Sequence, residues 1–356
     1  MTEFEIGKIK VGGDAPTFII AELSANHGHD FSIAAKTIEA MKKAGADAVK
    51  LQTYTADTIT IDSKNDYFKI NQGTIWDGKN LHKLYEEAST PWDWQPKLKK
   101  IAEEMGMICF SSPFDKTAAD FLEQMDVPAY KVASFEITDI PLIEYIASKN
   151  KPFIISTGIA LMEDIEEAIN ACRRVGNNDI VLLKCTSAYP ALLEEMNLNT
   201  ISDMAKRFET IVGLSDHSVN IEIPIAAVSL GAKIIEKHFI LDRKIGGADA
   251  LFSLEPKDFK AMVEAVRNTE KALGKVSYEL SEKSKKSREF SRSLFVVKDI
   301  EAGGVLSEEN IRSIRPGFGL APKFLKEVIG KKALCRLDRG TPLSKEHYEM
   351  KRKAEK

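Results

Sequence analysis

Cysteine is scarce in this sequence, with four residues, at positions 109, 172, 185 and 335, in a chain of 356. No pair has metal-ligand spacing, and a chain of this length needs no disulfide framework. The four are expected to be reduced, partly buried thiols in a cytoplasmic protein. No secretory leader is expected, since Met1-Thr2-Glu3-Phe4-Glu5 carries acids where a signal peptide carries bases. No apolar run has membrane-spanning length: the longest candidate, 221–235, contains Glu222, Pro224 and Lys233. A surplus of one charge is missing too. The net charge of −3 implies no nucleic-acid partner. Lys351, Arg352 and Lys353 read as a solvated terminus.

Short runs rich in Val and Ile are plentiful. Eight fall in the first 240 residues, at 17–21, 48–51, 107–110, 129–132, 153–155, 180–183, 211–214 and 233–235. Near-continuous hydrophobicity suits strands buried on both faces of a parallel sheet. Amphipathic stretches alternate with them. Residues 32–44 set Ile33, Thr37, Ile38 and Met41 on one face, and Gly45 suits the C-terminal cap. Stretches 117–125 and 163–172 behave alike. This alternation predicts an α/β fold, a (β/α)₈ TIM barrel over residues 1–283. A doubly wound open sheet is the alternative, weakened because no Gly-rich dinucleotide fingerprint follows the first run.

Residues 53–90 form a long excursion, of a length usual for a lid or small subdomain. It leads into Thr90-Pro91-Trp92-Asp93, read as a helix start with Thr90 as N-cap and Pro91 in the first helical position. The stretch 281–289 holds no apolar residue, which places a linker at 284–289 and a small separate domain at 290–350.

Almost every run ends, on its C-terminal side, in reactive side chains: Glu22; Lys50 and Gln52; Ser112; Lys131, Ser134 and Glu136; Ser156; Lys184, Ser187 and Tyr189; Ser215 and His217; Glu236 and His238. In a barrel these ends share one rim, where barrel active sites lie. Each residue alone reads as a turn or cap residue. Lys50, Lys131 and Lys184 resist that reading because they stand inside apolar runs, and buried lysines need anionic partners. A substrate bearing phosphate and carboxylate would supply one; an ion-pair network with Glu22, Glu136 and Glu236 is the alternative. His217 and His238 end neighbouring strands and suit a divalent ion completed by waters, or else are satisfied core histidines.

These residues carry a resemblance that spans essentially the whole chain. Ala21-Glu22-Leu23-Ser24-Ala25-Asn26-His27, Lys50-Leu51-Gln52, Ser112-Pro113-Phe114-Asp115, Ser156-Thr157-Gly158, Gly213-Leu214-Ser215-Asp216-His217 and Glu236-Lys237-His238-Phe239 resemble the sialic acid synthase family. Ser291-Arg292-Ser293-Leu294 and Ile314-Arg315-Pro316-Gly317 resemble that family's antifreeze-like SAF domain. Trp76-Asp77-Gly78-Lys79, Thr90-Pro91-Trp92, the stretch from Ser134 to Ile143, and Lys184-Cys185-Thr186-Ser187-Ala188-Tyr189-Pro190 are most similar to the family's pseudaminate-forming branch.

The resemblance implies condensation of phosphoenolpyruvate with an open-chain amino sugar. It assigns Lys131, Ser134, Ser156 and Ser215 to the phosphate, and Lys50, Ser112 and Ser187 to the carboxylate. Gln52, Tyr189, Glu236, Asp249 and Arg315 would meet the sugar. Glu22 and Glu136 would be the catalytic acids or bases. His217 and His238 would hold Mn²⁺, Co²⁺ or Mg²⁺. A homodimer is implied, with each small domain completing its partner's site. Three rivals stay open: a neuraminate- or legionaminate-forming relative, a barrel enzyme acting on an aldose phosphate, and a non-catalytic carbohydrate binder.

Overall fold

A computed structural model describes residues 3–71, 73–189 and 191–350. It opens with an antiparallel hairpin, β1 (Glu3–Ile6) and β2 (Ile9–Gly12). Ile6 and Val11 are buried in the same core as the strands that follow.

Eight parallel strands close into a barrel: β3 (Phe18–Glu22), β4 (Ala48–Thr53), β5 (Ile108–Pro113), β6 (Tyr130–Val132), β7 (Phe153–Ser156), β8 (Ile180–Cys185), β9 (Ile211–Asp216) and β10 (Ile234–His238). They follow one another around the barrel in chain order, and β10 returns to lie beside β3. Each of the eight runs read from the sequence is a barrel strand. Their residues are buried almost without exception, because one face meets the lumen and the other the helices. Two-sided burial removes the polar alternation of a half-exposed strand.

The crossovers run through α1 (Phe31–Lys43), then α2 (Ala56–Ile59), α3 (Leu81–Ala88) and α4 (Gln95–Glu104), then α5 (Lys116–Gln124), α6 (Ile140–Ala147), α7 (Met162–Arg174), α8 (Thr200–Phe208) and α9 (Glu222–Ser229); α10 (Pro256–Leu273) follows β10. On α1, Ala34, Thr37, Ile38 and Met41 are buried, while Ile33 is half-buried. Gly45 ends this helix at φ +95°, a backbone setting that a side chain would strain. Arg267 of α10 laces the seam, donating to Thr17 O at 2.6 Å and to Asp47 Oδ2 at 3.0 Å.

The helix start near Thr90 differs from the sequence reading. Trp92–Trp94 form a 3₁₀ turn that runs into α4, and no side chain caps it. The Thr90 hydroxyl lies 3.2 Å from Nε2 of His27, so the imidazole takes the group that would have capped the helix.

The chain divides into two compact units, residues 1–274 and 275–356. The second begins with a fully exposed stretch that includes α11 (Glu282–Ser287), capped by Ser281 Oγ, which accepts from Ser284 N at 3.1 Å. The polar linker segment is therefore partly helical. Beyond it, β11 (Ser293–Val296) pairs antiparallel with β12 (Ile311–Ile314), and α12 (Leu325–Val328) follows. Leu294, Val296, Leu306, Ile311, Val328 and Leu343 form this unit's own core. Among the described residues no helix is long and apolar enough to cross a membrane.

Gly213 sits where β9 meets its neighbours with no space for a methyl group. A Cβ there would stand 2.5 Å from Ile234 O and 2.6 Å from Leu183 Cδ2. Gly213→Ala is expected to cost about 1–3 kcal/mol by overpacking, seen as a melting point several degrees lower in a thermal-shift measurement.

Candidate active site

The C-terminal ends of the strands build one charged cluster inside the barrel. Lys50 Nζ lies 2.6 Å from Glu22 Oε2 and 2.9 Å from Glu236 Oε1. Ser215 Oγ donates to Glu236 Oε1 at 3.0 Å, and Gln52 Nε2 donates to Glu22 Oε1 at 3.0 Å. Lys131 Nζ donates to Ser156 Oγ at 2.6 Å and stands 4.0 Å from Glu236 Oε1. Strands β6 and β10 are not neighbours, so that approach crosses the lumen. Glu22, Lys50, Lys131 and Glu236 are all nearly inaccessible to solvent. Burial opposes the Glu236 charge, yet the Lys131 and Lys50 ammonium groups hold its carboxyl well below the usual range. Burial lowers the Lys50 ammonium from its ordinary value.

Beside this cluster, polar atoms are presented without protein partners. Ser112 Oγ and Glu136 Oε2 are buried and have no hydrogen-bond partner among the described residues. Buried polar groups are rarely left so unless a ligand or water completes them. Burial raises the Glu136 carboxyl to about 7, the range suited to moving a proton at neutral pH. Ser134 Oγ accepts from Gly158 N at 3.1 Å. Gly158 is walled in, since a Cβ there would fall 2.1 Å from Ser187 Oγ and 2.7 Å from Ser134 Oγ. Only glycine lets these hydroxyls gather.

The other side of the lumen is imidazole and aromatic. The rings of His217 and His238 lie 5.3 Å apart. His217 Nδ1 is 3.0 Å from Thr186 O; a carbonyl only accepts, so Nδ1 carries a proton and Nε2 is the nitrogen left to face a ligand. His238 Nδ1 is buried without a hydrogen-bond partner, 3.6 Å from Asp249 Oδ2. Tyr189 packs 4.5 Å from the His217 ring and 5.1 Å from Phe252, and Phe252 meets His238 edge-on at 4.9 Å. Among the described residues no group of three or more His, Cys, Asp and Glu is arranged to hold a metal. Two imidazoles with an unpartnered nitrogen fit a divalent ion that takes its remaining ligands from water or substrate.

The outer faces of the same strands hold the rim in register. Lys237 and Asp216, both fully buried, form an ion pair between β10 and β9, and Asp216 Oδ1 accepts from Ser218 N at 2.8 Å. Asn26 Nδ2 donates to Phe239 O at 3.0 Å and to Ser253 Oγ at 2.8 Å. His29 Nε2 lies 2.6 Å from Glu87 O, so His27 and His29 together fasten the 53–90 excursion to the loop after β3. Lys184 departs from the sequence reading of three lysines on one rim. Cys185 Sγ approaches His217 Nδ1 at 3.9 Å, so strand alternation turns Lys184 to the opposite face, where Nζ donates to Cys185 O at 2.7 Å.

Apart from Lys184 and Arg315, every site residue read from the sequence stands in this lumen or on its loops. Arg315 belongs to the second unit, just after β12, and is exposed. Residues 37–278 match the NeuB family, and residues 291–349 match the SAF domain. The chain belongs to the NeuB family. This family member is 48% identical to the pseudaminic acid synthase of Campylobacter jejuni subsp. jejuni serotype O:23/36 (strain 81-176), over 94% of this chain and 97% of that one. It is 48% identical to the pseudaminic acid synthase of Helicobacter pylori (strain ATCC 700392 / 26695), over 94% and 98%. Its fold is similar to that of the N-acetylneuraminic acid (sialic acid) synthetase of Leptospira borgpetersenii serovar Hardjo-bovis, with a TM-score of 0.72 and 32% identity over 80% and 95% of the chains.

The sequence reading of this NeuB-family site gave no role to Gly158, Phe252 or Cys185. Gly158 was visible as the glycine closing Ser156-Thr157-Gly158, whereas a lone Phe or Cys in an apolar setting gives no signal. Ser134 and Ser156 offer a direct test of the anion end. Inorganic phosphate is expected to raise the melting point of the wild type, and this shift should shrink by at least half in Ser134→Ala and Ser156→Ala. The baseline melting points of these variants should stay within about 2 °C, since each removes one modest hydrogen bond.

Proposed function

We propose that this protein is a pseudaminic acid synthase, condensing phosphoenolpyruvate with 2,4-diacetamido-2,4,6-trideoxy-L-altrose and water to give pseudaminic acid and phosphate. The observation that carries the reading is one lumen with two chemical ends: a lysine and hydroxyl cluster beside a facing pair of imidazoles. The choice of sugar rests on likeness to relatives of that name.

In this reading Lys131, Ser134, Ser156 and Ser215 hold the phosphate, and Lys50, Ser112 and Ser187 hold the carboxylate. Lys gives point charge and Ser gives directed donors. His217 and His238 hold a divalent ion, Mn²⁺, Co²⁺ or Mg²⁺, which when bound supplies Lewis-acid polarisation of the aldehyde oxygen. Gln52, Tyr189, Glu236 and Asp249 orient the open-chain sugar so that its aldehyde carbon meets the methylene of phosphoenolpyruvate. As that C–C bond forms, positive charge develops on the carbon that bears the phosphate; water adds there, and phosphate leaves with C–O cleavage. Glu22 is held by an ion pair to Lys50 and a hydrogen bond from Gln52, while Glu136 presents Oε2 unpartnered and has a proton affinity near neutrality. Glu136 is therefore the proton carrier, and Glu22 stays a fixed negative charge facing the developing positive centre.

Phosphate release tests the reading. The deoxy diacetamido sugar should exceed N-acetylmannosamine in kcat/KM by at least about a hundredfold, because several contacts differ at once. Comparable values would move the assignment to a neuraminate-forming enzyme. EDTA should abolish turnover and Mn²⁺ restore it; full activity after rigorous chelation would remove the metal from the scheme.

Arg315 completes the proposal. It is exposed and makes no ion pair among the described residues, and its unit is a small one. We assign it to the sugar of a partner subunit in a two-fold homodimer, where each small domain covers the other's rim and excludes water. Mixed and exchanged Arg315→Ala and His238→Ala subunits should recover about a quarter of wild-type activity, since half the dimers are hybrids with one sound site. A dead mixture with hybrids verified by mass spectrometry would overturn the exchange.

A further inference from the structure

We propose that Trp76 sets the enzyme's selectivity for a 6-deoxy sugar, its indole forming the apolar wall against which the terminal methyl group of the open chain packs. The inference rests on the sugar-condensing reading above and names a specificity residue within it.

Trp76 sits in the excursion between β4 and α4, far in sequence from the strand ends that bear the chemistry. A tight turn presents it. Asp77 accepts from Gly73 N and Thr74 N, each at 2.9 Å, and Gly78 N donates to Ile70 O at 2.8 Å. Ile75, Asp77, Gly78 and Lys79 around it are exposed, and the indole is half-buried. It takes no part in the apolar core of the barrel unit. Stability of the barrel gives no reason for so large an apolar group here.

What the indole touches is the site. Its ring lies 5.3 Å from Tyr189, and Tyr189 lies 4.5 Å from His217. Its Nε1 donates to Ala248 O at 3.1 Å, one residue before Asp249, whose carboxylate stands beside His238. The excursion thereby reaches the loops after β8 and β10, which carry the imidazole end of the lumen. The phosphate-binding hydroxyls of Ser134 and Ser156 belong to the loop after β6 and to the end of β7. Trp76 is thus placed toward the sugar.

Its chemistry selects for a methyl group. The indole has one polar atom, a donor, and Ala248 O already occupies it. The face it offers is purely apolar and held in one orientation. A sugar whose aldehyde carbon is held at the imidazole pair extends its far carbons past Tyr189 toward this face. A 6-methyl group gains contact there, whereas a 6-hydroxyl loses water and meets no partner. Phe252, buried beneath Tyr189 and both imidazoles, backs the Tyr189 ring against which the indole rests.

The test is a competition between 2,4-diacetamido-2,4,6-trideoxy-L-altrose and its 6-hydroxy analogue in one reaction, with products counted by mass spectrometry. The product ratio depends on the quotient of the two kcat/KM values and not on how much enzyme is folded, so a poorly folding variant still reports. Wild type is expected to favour the deoxy sugar, and Trp76→Ala to lower that preference by about tenfold or more. Trp76→Phe, with a ring but no donor, should retain the preference within about threefold. The KM for phosphoenolpyruvate should move less than threefold in both. A ratio unchanged in Trp76→Ala, or an equal loss on both sugars, would overturn the proposal and leave Trp76 as a fastener of the excursion. Failure of the wild type to use either sugar would instead overturn the sugar-condensing reading on which it rests.

Discussion

Lys50, held between Glu22 and Glu236, is the interaction on which the site depends. Three charged groups from three strands meet out of contact with solvent, and each would be costly to bury alone. They are tolerable only together, and Lys131 approaching across the lumen brings the charges into balance. Such a cluster is ready to exchange partners. Lysines and hydroxyls that are already desolvated and oriented need little rearrangement to meet an anion, which is the advantage of a preorganised polar site.

The geometry of this cluster is fixed from outside. Strand alternation turns Glu236 and His238 to the lumen and Lys237 to the helices, and it does the same for Ser215, His217 and Asp216. The dry Lys237–Asp216 pair therefore sits directly behind the imidazoles. Losing one partner of such a pair leaves an uncompensated buried charge, so the two strands are held in one register at the level where the chemistry occurs. Asn26, His27 and His29 do comparable work for the loops. They tie the turn after β3 to the segment after β10 and to the end of α3. Several polar residues near the rim thus serve as fasteners, the bland role that turn and cap residues usually have.

The lumen has two unlike ends. One is ionic and hydroxylic, with atoms left unpartnered at Ser112 and Glu136. The other is aromatic, with Trp76, Tyr189 and Phe252 around two imidazoles. The first end suits an anion, and the second offers apolar ring faces beside a few polar atoms. The excursion after β4 belongs to the second end, which explains why a barrel strand is followed by so long a detour.

The sequence by itself determined the barrel, because strands buried on both faces must be apolar throughout, and eight such runs alternating with helices leave few other arrangements. It also required anions beside Lys50 and Lys131, which stand inside apolar runs, but left open whether a substrate or the chain's own carboxylates supply them; the fold brings Glu22 and Glu236 to these lysines. The hairpin at residues 3–12 escaped notice, its strands being four residues long and half polar. Tertiary structure decided which neighbour in a polar stretch faces the site. Lys184 and Cys185 differ by one position, and period-two alternation sends them to opposite faces, a choice of register that composition does not carry. Thr90 could have capped a helix until the fold brought His27 to its hydroxyl. Trp76 acquired its position only when two loops more than a hundred residues away supplied Tyr189 and Ala248. A local pattern records what a residue can do, while contacts between distant segments decide what it meets.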